Sequence, residues 1–191
     1  MLFGLRLPAY KKTMVFSCLV FSLTLFLTSS WSPTDLQSHV NSVKIKSFPE
    51  LSSIRVSLEE VNLKKSFFAT DVKNLFKFWM DRDYVIRFHP SILNSKISAE
   101  SLDAILAREL SLIAMYIKMS NFELVVLALR YHFGSNKFQA DFERETDVRT
   151  VERGYREGLK SYREWIYTQL SKEEVGEKKK LFMTLDELDN P

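Results

Sequence analysis

The sequence is poor in cysteine, glycine and proline, and each shortage excludes a class of protein. Its 191 residues contain one cysteine, Cys18, which excludes both a disulfide framework and a zinc site built from cysteines. Five glycines and five prolines, beside 46% hydrophobic and 13% aromatic residues, exclude a low-complexity chain. The composition is that of one packed domain with an appendage.

The chain has no excess charge outside its first 30 residues. Residues 1–30 contain Arg6, Lys11 and Lys12 and no acidic residue, which leaves 24 basic residues against 24 acidic ones in the remainder. No basic stripe interleaved with aromatic residues follows. The charge pattern therefore argues against nucleic acid as a partner.

The first 30 residues have the three parts of a secretory signal. Lys11 and Lys12 precede an almost unbroken apolar run over 14–27, and Thr28-Ser-Ser30 supplies small residues for cleavage. The run is shorter than the roughly 20 residues of a membrane-spanning helix, which favours cleavage over retention as an N-terminal anchor. We expect an exported protein, periplasmic, envelope-associated or secreted, that meets a membrane only through an uncleaved leader.

The segment between the leader and residue 97 has mixed periodicity. Alternating apolar residues predict short strands at 43–45 and 54–58 and a stronger strand at 84–88. Apolar residues at helical spacing predict a helix over 67–80. We therefore expect a short antiparallel or mixed sheet ahead of a long helix.

That long helix, predicted to begin after an N-cap at Ser98, is the most informative stretch of the chain. Glu109 falls in the middle of a broad apolar arc formed by Leu102, Ile105, Leu106, Leu110, Leu112, Ile113, Tyr116 and Ile117. A carboxylate in a core-facing stripe is costly unless it is paired. The position of Glu109 therefore points to a present or former active site.

A second helix is predicted over 122–133. Ser120 and Glu123 have the spacing of a capping box, which marks its beginning. The segment is apolar nearly all round and too short to span a bilayer, so we expect it to be buried.

Two more helices and a tail complete the chain. Residues Glu143 and Asp147 are four apart on a predicted helix, so they share one face. Apolar residues over 159–170 predict a final amphipathic helix, and the charged stretch from Ser171 is expected to be a solvated segment laid over the domain.

The central helix resembles the active-site helix of zinc metallopeptidases. In those proteins the motif is H-E-x-x-H, and here the run Ile105-Leu-Ala-Arg-Glu-Leu-Ser-Leu-Ile113 has both histidines replaced. Arg108 stands at the first ligand position, Glu109 at the general base and Leu112 at the second ligand position.

Two downstream segments extend this resemblance to roughly 84–182. The run Phe142-Glu-Arg-Glu-Thr-Asp147 matches E-x-x-x-D, which would make Glu143 the third ligand position and Asp147 the acid that supports it. The stretch 153–163 is similar to small exported bacterial proteins of unknown role that carry an intact H-E-x-x-H.

The resemblance implies a zincin-like α+β fold with a mainly helical core. It also implies that the strand at 84–88 forms the edge of a cleft along which an extended substrate adds, although an ordinary edge strand would show the same pattern.

The residues present do not supply a zinc site. Zinc is expected in relatives with an intact motif, but Arg108 and Leu112 offer no lone pair, so we expect no cofactor here. The side chain of Leu112 would occupy the space of the second ligand and make apolar contacts there. Ser111 lies on the far side of the wheel from Glu109, which argues against a serine nucleophile. We expect three histidines to be surface or core residues instead of replacement ligands: His39, His89 and His132.

If the zinc ion is lost, we expect a positively charged side chain to take its place. Without a metal, the acids around the site would repel each other in a partly desolvated space. We expect the guanidinium of Arg108 to occupy the vacated space and to bind Glu143 or Asp147. Arg149 or Arg153 is the alternative.

These features together predict an exported pseudoenzyme that holds a peptide or protein partner in the old cleft. Two alternatives remain open. One is a structural envelope protein in which Glu109 is a core-edge acid paired with an arginine, and the other is a peptidase with altered metal ligands. The predicted segments are the leader 1–30, the N-terminal part of the domain 31–96, the helical motif region 97–171 and the charged tail 172–191.

Overall fold

The computed structural model describes residues 30–64, 66–75 and 81–190, and within them the chain is α+β. Helices pack on one face of a small mixed sheet that precedes the central helix, as the sequence predicts. The predictions for the leader and for Cys18 lie outside the described residues.

The domain begins with helix α1, Pro33–Ser47. A capping box between Ser32 and Asp35 starts it, and three residues at helical spacing are buried: Leu36, Val40 and Val43. The predicted strand at 43–45 is therefore wrong. The β-branched residues there alternate with lysines, but Val43 completes the apolar face of the helix and Ile45 is 79% exposed.

Three strands follow: β1 (Val56–Glu60), β2 (Phe68–Lys73) and β3 (Asp83–Phe88). The sheet order is β1-β3-β2, with β1 parallel and β2 antiparallel to β3. The predicted strand at 84–88 is confirmed, and the strand predicted at 54–58 is present with its bounds moved to 56–60. Because β3 is central, it does not form a cleft edge, and that expectation is wrong.

The helix predicted over 67–80 is also wrong, since 68–73 forms β2 and residues 76–80 lie outside the described part. The apolar residues of this segment fit the two-residue repeat of a strand as well as the repeat of a helix. One face of β2 carries Phe68, Thr70 and Val72, and the other carries polar or small residues.

Ion pairs cover the outer face of the sheet. Arg87 on β3 binds Glu59 on β1 at 3.2 Å and Asp71 on β2 at 2.7 Å, and Lys73 binds Glu59 at 3.1 Å. The apolar face is thereby left to pack on the helices, which places Thr70 against the central helix.

Helix α2, Ala99–Tyr116, is the centre of the fold. It begins at the predicted N-cap, Ser98, whose side chain accepts from the backbone N–H of Ser101 at 3.1 Å. From Leu102 to Ala114 nearly every residue is buried, because α1, α4, α5 and β2 all pack against this helix. The apolar arc predicted from the sequence is thus confirmed.

Helix α3, Asn121–Phe133, has the predicted capping box but not the predicted burial. Leu124 alone among its residues is fully buried. Its inner side faces a cleft, and its outer side exposes Phe122, Val126, Leu129 and Phe133.

Helices α4 (Asn136–Glu152) and α5 (Arg156–Gln169) confirm the two remaining helix predictions. Both pack against α2, and α4 presents Glu143 and Asp147 to it. The helices of the motif region are therefore packed around α2, which contacts the sheet through β2.

The C-terminal stretch 172–190 is more structured than the sequence predicts. It forms α6 (Lys172–Leu181) and α7 (Leu185–Asp189). Helix α6 buries no residue, but Met183 and Leu188 after it are buried in a small apolar cluster. The expectation of a solvated segment is therefore wrong for the part beyond α6.

Candidate functional site

A buried arginine lies among three acids at the centre of the domain. Nε of Arg108 donates to Oδ1 of Asp147 at 2.6 Å, and another guanidinium nitrogen donates to the carboxylate of Glu143. A third nitrogen lies 3.4 Å from Oε1 of Glu109. The predicted contact of Arg108 with the acids of α4 is confirmed, and the side chain is 5% exposed.

The two alternative arginines bind elsewhere. Arg149 pairs with Glu145 one turn earlier on α4 at 2.6 Å, and Arg153 pairs with Glu50 at 2.5 Å. Neither guanidinium reaches the buried acids, so of these three arginines Arg108 is the one that binds the acids of α4.

A second arginine, which the sequence analysis missed, shares the same acid. Arg163 on α5 donates to both carboxylate oxygens of Asp147, at 2.9 and 3.1 Å, and the backbone N–H of Met183 donates to it at 3.0 Å. Burial alone would raise the pKa of Asp147, but Arg163 and Arg108 outweigh it and hold that pKa below its usual value. We call Arg108, Glu109, Glu143, Asp147 and Arg163 the arginine cluster.

Glu109 is the least neutralised acid of the arginine cluster. It is 2% exposed, and Thr70 on β2 donates to its Oε2 at 2.8 Å. Burial raises the pKa of Glu109 above its usual value, Arg108 and Thr70 oppose the rise, and Glu143 adds to it. The carboxyl of Glu109 is thus easier to protonate than that of an ordinary glutamate.

Glu143 joins the arginine cluster to α3. The hydroxyl of Tyr131 donates to Oε1 of Glu143, and the side chain of Gln139 donates to the backbone carbonyl of Tyr131 at 2.6 Å. Burial and the nearby Glu143 raise the pKa of the Tyr131 phenol, which keeps its proton available for this bond. Two polar contacts therefore hold the C-terminal half of α3 in place.

A cleft of about 810 Å³ opens above the arginine cluster. Its floor contains Arg108, Glu109 and Glu143, and its walls are β2, α3 and α6. Most of the wall is apolar and includes Leu112, Tyr116, Leu124, Leu127, Leu181 and Phe182. The volume and the mixture of apolar walls with a few polar groups are typical of a ligand site.

Strand β2 borders this cleft with a free edge. The backbone N–H of His89 donates to the carbonyl of Phe67 at 2.9 Å, so in the antiparallel register the odd-numbered residues of β2 bond to β3. The N–H and C=O groups of Phe68, Thr70 and Val72 then point away from β3. No other described strand pairs with that edge.

The donors at the arginine cluster do not fit a zinc ion. A guanidinium fills the space between the two acids of α4, and neither Arg108 nor Leu112 has a lone pair to offer. In 30–64, 66–75 and 81–190, no three His, Cys, Asp or Glu side chains are grouped as metal ligands would be.

Neither the three histidines nor Ser111 forms a hydrogen bond with Glu109. His39 contacts Asp103 at 2.5 Å, His89 contacts Asn62 at 2.8 Å, and His132 lines the upper wall of the cleft. The hydroxyl of Ser111 donates to the backbone carbonyl of Ala107 at 3.0 Å, within its own helix.

Three comparisons with known proteins give no match: none with protein-family models, none with curated proteins and none with solved structures.

Proposed function

We propose that the chain is an exported pseudoenzyme with a zincin-like fold, whose cleft binds an extended segment of polypeptide without cleaving it. The observation that carries this proposal is the free edge of β2, which borders the cleft directly above Arg108 and Glu109.

The edge of β2 supports a polypeptide as the ligand. An added strand would satisfy the outward N–H and C=O groups of Phe68, Thr70 and Val72, and its side chains would alternate between the apolar walls and solvent. The main-chain hydrogen bonds would give affinity for any extended segment, and the walls would select among side chains.

The order of elements supports the zincin-like part of the proposal. The order along the chain is that of the H-E-x-x-H proteins. An edge strand comes first, a helix with a buried glutamate follows, and a later helix carries an acid that faces this glutamate. The departure is chemical: a cation of the chain replaces the ion, and Thr70 and Arg108 engage the carboxylate at the base position.

The arginine cluster supports binding without hydrolysis. A metallopeptidase activates water on a zinc ion with a free glutamate beside it. Here the glutamate lies under a salt-bridged guanidinium, and the side chains at both ligand positions lack a lone pair. The polar floor also favours a binding role over a purely structural one.

Export is the second part of the proposal. Within the described residues, no helix combines the length and the apolarity that crossing a bilayer requires. The backbone N–H of Trp31 donates to the carbonyl of Leu93 at 2.7 Å, so the fold takes up the chain directly after the predicted cleavage residues. N-terminal sequencing of protein from the envelope or culture medium should begin near Trp31, and the intact chain in the cytosol would contradict export.

A proline placed on the free edge of β2 tests peptide binding. Val72→Pro removes one outward N–H and leaves the bonds to β3 in place, since proline is tolerated on edge strands. The matched control is Val72→Thr, which keeps both the N–H and the branched side chain. Each protein is incubated with a random library of ten-residue peptides, and the retained peptides are measured by mass spectrometry.

We expect the unchanged protein and Val72→Thr to retain a common set of intact peptides that Val72→Pro loses. Equal retention by Val72→Pro would contradict strand addition. Retained peptides recovered as shortened products would contradict the absence of cleavage, and no retention by the unchanged protein would contradict a peptide-binding cleft.

A further inference from the structure

The outer face of α3 exposes a narrow apolar stripe. Phe122 and Phe133 are 76% and 85% exposed, and Leu129 is 52% exposed. With Val126 they lie within about 60° of each other on a helix of 100° per residue. Exposed apolar patches of this kind mark interaction surfaces.

The spacing of the stripe is that of a coiled-coil seam. The four residues are separated by four, three and four positions, which is the alternation of a and d positions in a heptad. The stripe is also a palindrome about the midpoint between residues 127 and 128. In an antiparallel pair of α3 helices, Phe122 would face Phe133 of the other copy, and Val126 would face Leu129.

The flanking charges distinguish the antiparallel arrangement from the parallel one. Glu123 and Arg130 lie on one flank of the stripe, and Val125 and His132 lie on the other. In an antiparallel pair related by a two-fold axis perpendicular to both helices, the Glu123 and Arg130 flank of one helix faces the same flank of the other helix. Glu123 and Arg130 of the two copies would then stand about 3 Å apart along the axis, from a rise of about 1.5 Å per residue. A parallel pair would set that flank against Val125 and His132, without an ion pair.

Both charges are available for such a contact. One carboxylate oxygen of Glu123 accepts from the backbone N–H of Ser120 at 2.7 Å, which leaves the second oxygen. The guanidinium of Arg130 lies over the ring of Phe138, 4.4 Å from its centroid, and forms no salt bridge with any described residue.

We propose that the outer face of α3 is a homodimer interface, in which two copies of this chain pair their α3 helices antiparallel around a two-fold axis. The contact is isologous, so it closes at two copies. A stripe of four side chains is smaller than the roughly 800 Å² per partner of a standard interface, and the dimer therefore dissociates on dilution. This inference does not depend on what the cleft binds.

Disulfide trapping tests both the contact and its direction. Two variants of the full chain are made, both carrying Cys18→Ser: one has Phe122→Cys and the other Phe133→Cys, and each has a tag of a different size. Each variant is expressed alone, and the two are also expressed together. The cells are then oxidised, and the proteins are separated by denaturing electrophoresis. In the antiparallel pair, like positions are about 16 Å apart along the axis, beyond the roughly 7 Å Cα separation that a disulfide spans. We expect a covalent heterodimer from the mixture, several-fold above the homodimer from either variant alone. Stronger self-linking of either variant would overturn the antiparallel arrangement.

Sedimentation equilibrium of the unlinked protein supplies the second measurement, because a phenylalanine exchanged for cysteine also weakens the seam. The unchanged chain should give a dimer mass at high concentration that falls towards the monomer on dilution. Leu129→Asp should be monomeric throughout, and Ile45→Asp, which removes an even more exposed apolar residue on α1, should behave as the unchanged chain. A monomeric unchanged chain would overturn the proposal. So would a dimer that survives Leu129→Asp, or adsorption of the stripe to lipid vesicles without self-association.

Discussion

Nε of Arg108 lies 2.6 Å from Oδ1 of Asp147, 39 residues later in the chain. Asp147 is fully buried and Arg108 is 5% exposed, so the pair is a charge contact inside the core. Because Arg163 binds the same carboxylate from the other side, Asp147 keeps a cation if Arg108 is removed. The acids that would lose theirs are Glu143 and Glu109.

Arg108→Ala should therefore destabilise the protein by about 3 kcal/mol, the usual cost of leaving buried charges unpaired. Adding Glu143→Gln should recover part of that loss, since the amide oxygen still accepts from Tyr131 without carrying a charge. The exposed pair of Arg149 with Glu145 provides the control, and Arg149→Ala should cost less than about 0.5 kcal/mol. Urea unfolding measures all three, and equal losses for the two arginines would contradict a structural role of the arginine cluster.

Glu109→Gln should make the protein more stable at neutral pH. The pKa of Glu109 is raised in the folded protein, chiefly by burial, so the folded state holds this proton more tightly than the unfolded chain does. As the pH rises above 4.5, the usual pKa of a glutamate, the ionised carboxylate of Glu109 lowers the free energy of unfolding. The gain from Glu109→Gln should be full at neutral pH and should vanish as pH falls below that value.

Glu59→Gln is the matched control for this pH dependence. Hydrogen bonds from Lys73 and Arg87 hold the pKa of Glu59 below its usual value, so its effect has the opposite sign. The variant should be less stable than the unchanged protein at neutral pH, with the difference lost as pH falls through the lowered pKa. Thermal unfolding between pH 3 and pH 8 gives both curves, and a pH-independent difference for Glu109→Gln would contradict the raised pKa.

Gly158 sets the close approach of α5 to α2. A Cβ at this position would lie 2.6 Å from the backbone carbonyl oxygen of Glu100 and 2.8 Å from Cβ of Ala104. Gly158→Ala should therefore cost about 1–3 kcal/mol, because the neighbouring backbone must shift. Gly176→Ala in α6 meets no atom within 4 Å and should stabilise by about 0.5–1 kcal/mol. Chemical denaturation compares the two, and a stabilising Gly158→Ala would show that the helices separate without cost.

The contact of Arg108 with the acids of α4 was predicted from the resemblance to the H-E-x-x-H helix, in which Arg108 stands where the first metal ligand would be. The spacing alone puts Glu109 in an apolar arc and Glu143 and Asp147 on one face, and it left Arg149 or Arg153 open as the cation. Arg163 was missed because it stands among other charged residues in the sequence of α5. Its position between Tyr162 and Ile166, on the buried side of that helix, was the available signal.

The errors in secondary structure have a different cause. The residues of β2 fit two periods, and only pairing with β3, which depends on residues about 15 positions away, decides between them. Helix α3 was expected to be buried because it is apolar nearly all round. Its inner face borders a cleft, and its outer face has no partner within the described chain. The apolar composition therefore predicted the helix correctly but predicted its burial wrongly.

Histidines introduced at positions 108 and 112 should create a zinc site. The side chain at position 108 already reaches Glu143, and Leu112 lies one turn further along the floor of the cleft. Arg108→His with Leu112→His would therefore place two imidazoles four residues apart beside a carboxylate, which is the donor set of a three-ligand zinc site. We expect near-stoichiometric zinc in this double variant after dialysis, measured by plasma emission spectroscopy, and none in the unchanged protein.

Adding Glu143→Gln to the double variant should remove most of that zinc, because the third ligand loses its charge. Glu145→Gln, two residues away on the exposed side of α4, should leave it bound and serves as the control. In the unchanged protein, Glu109→Gln should leave any measured peptidase activity as it is, whereas an enzyme of the H-E-x-x-H type loses its base with that change. Stoichiometric zinc in the unchanged protein, together with chelator-sensitive peptidase activity, would mean that the cleft works with ligands other than those at positions 108, 112 and 143.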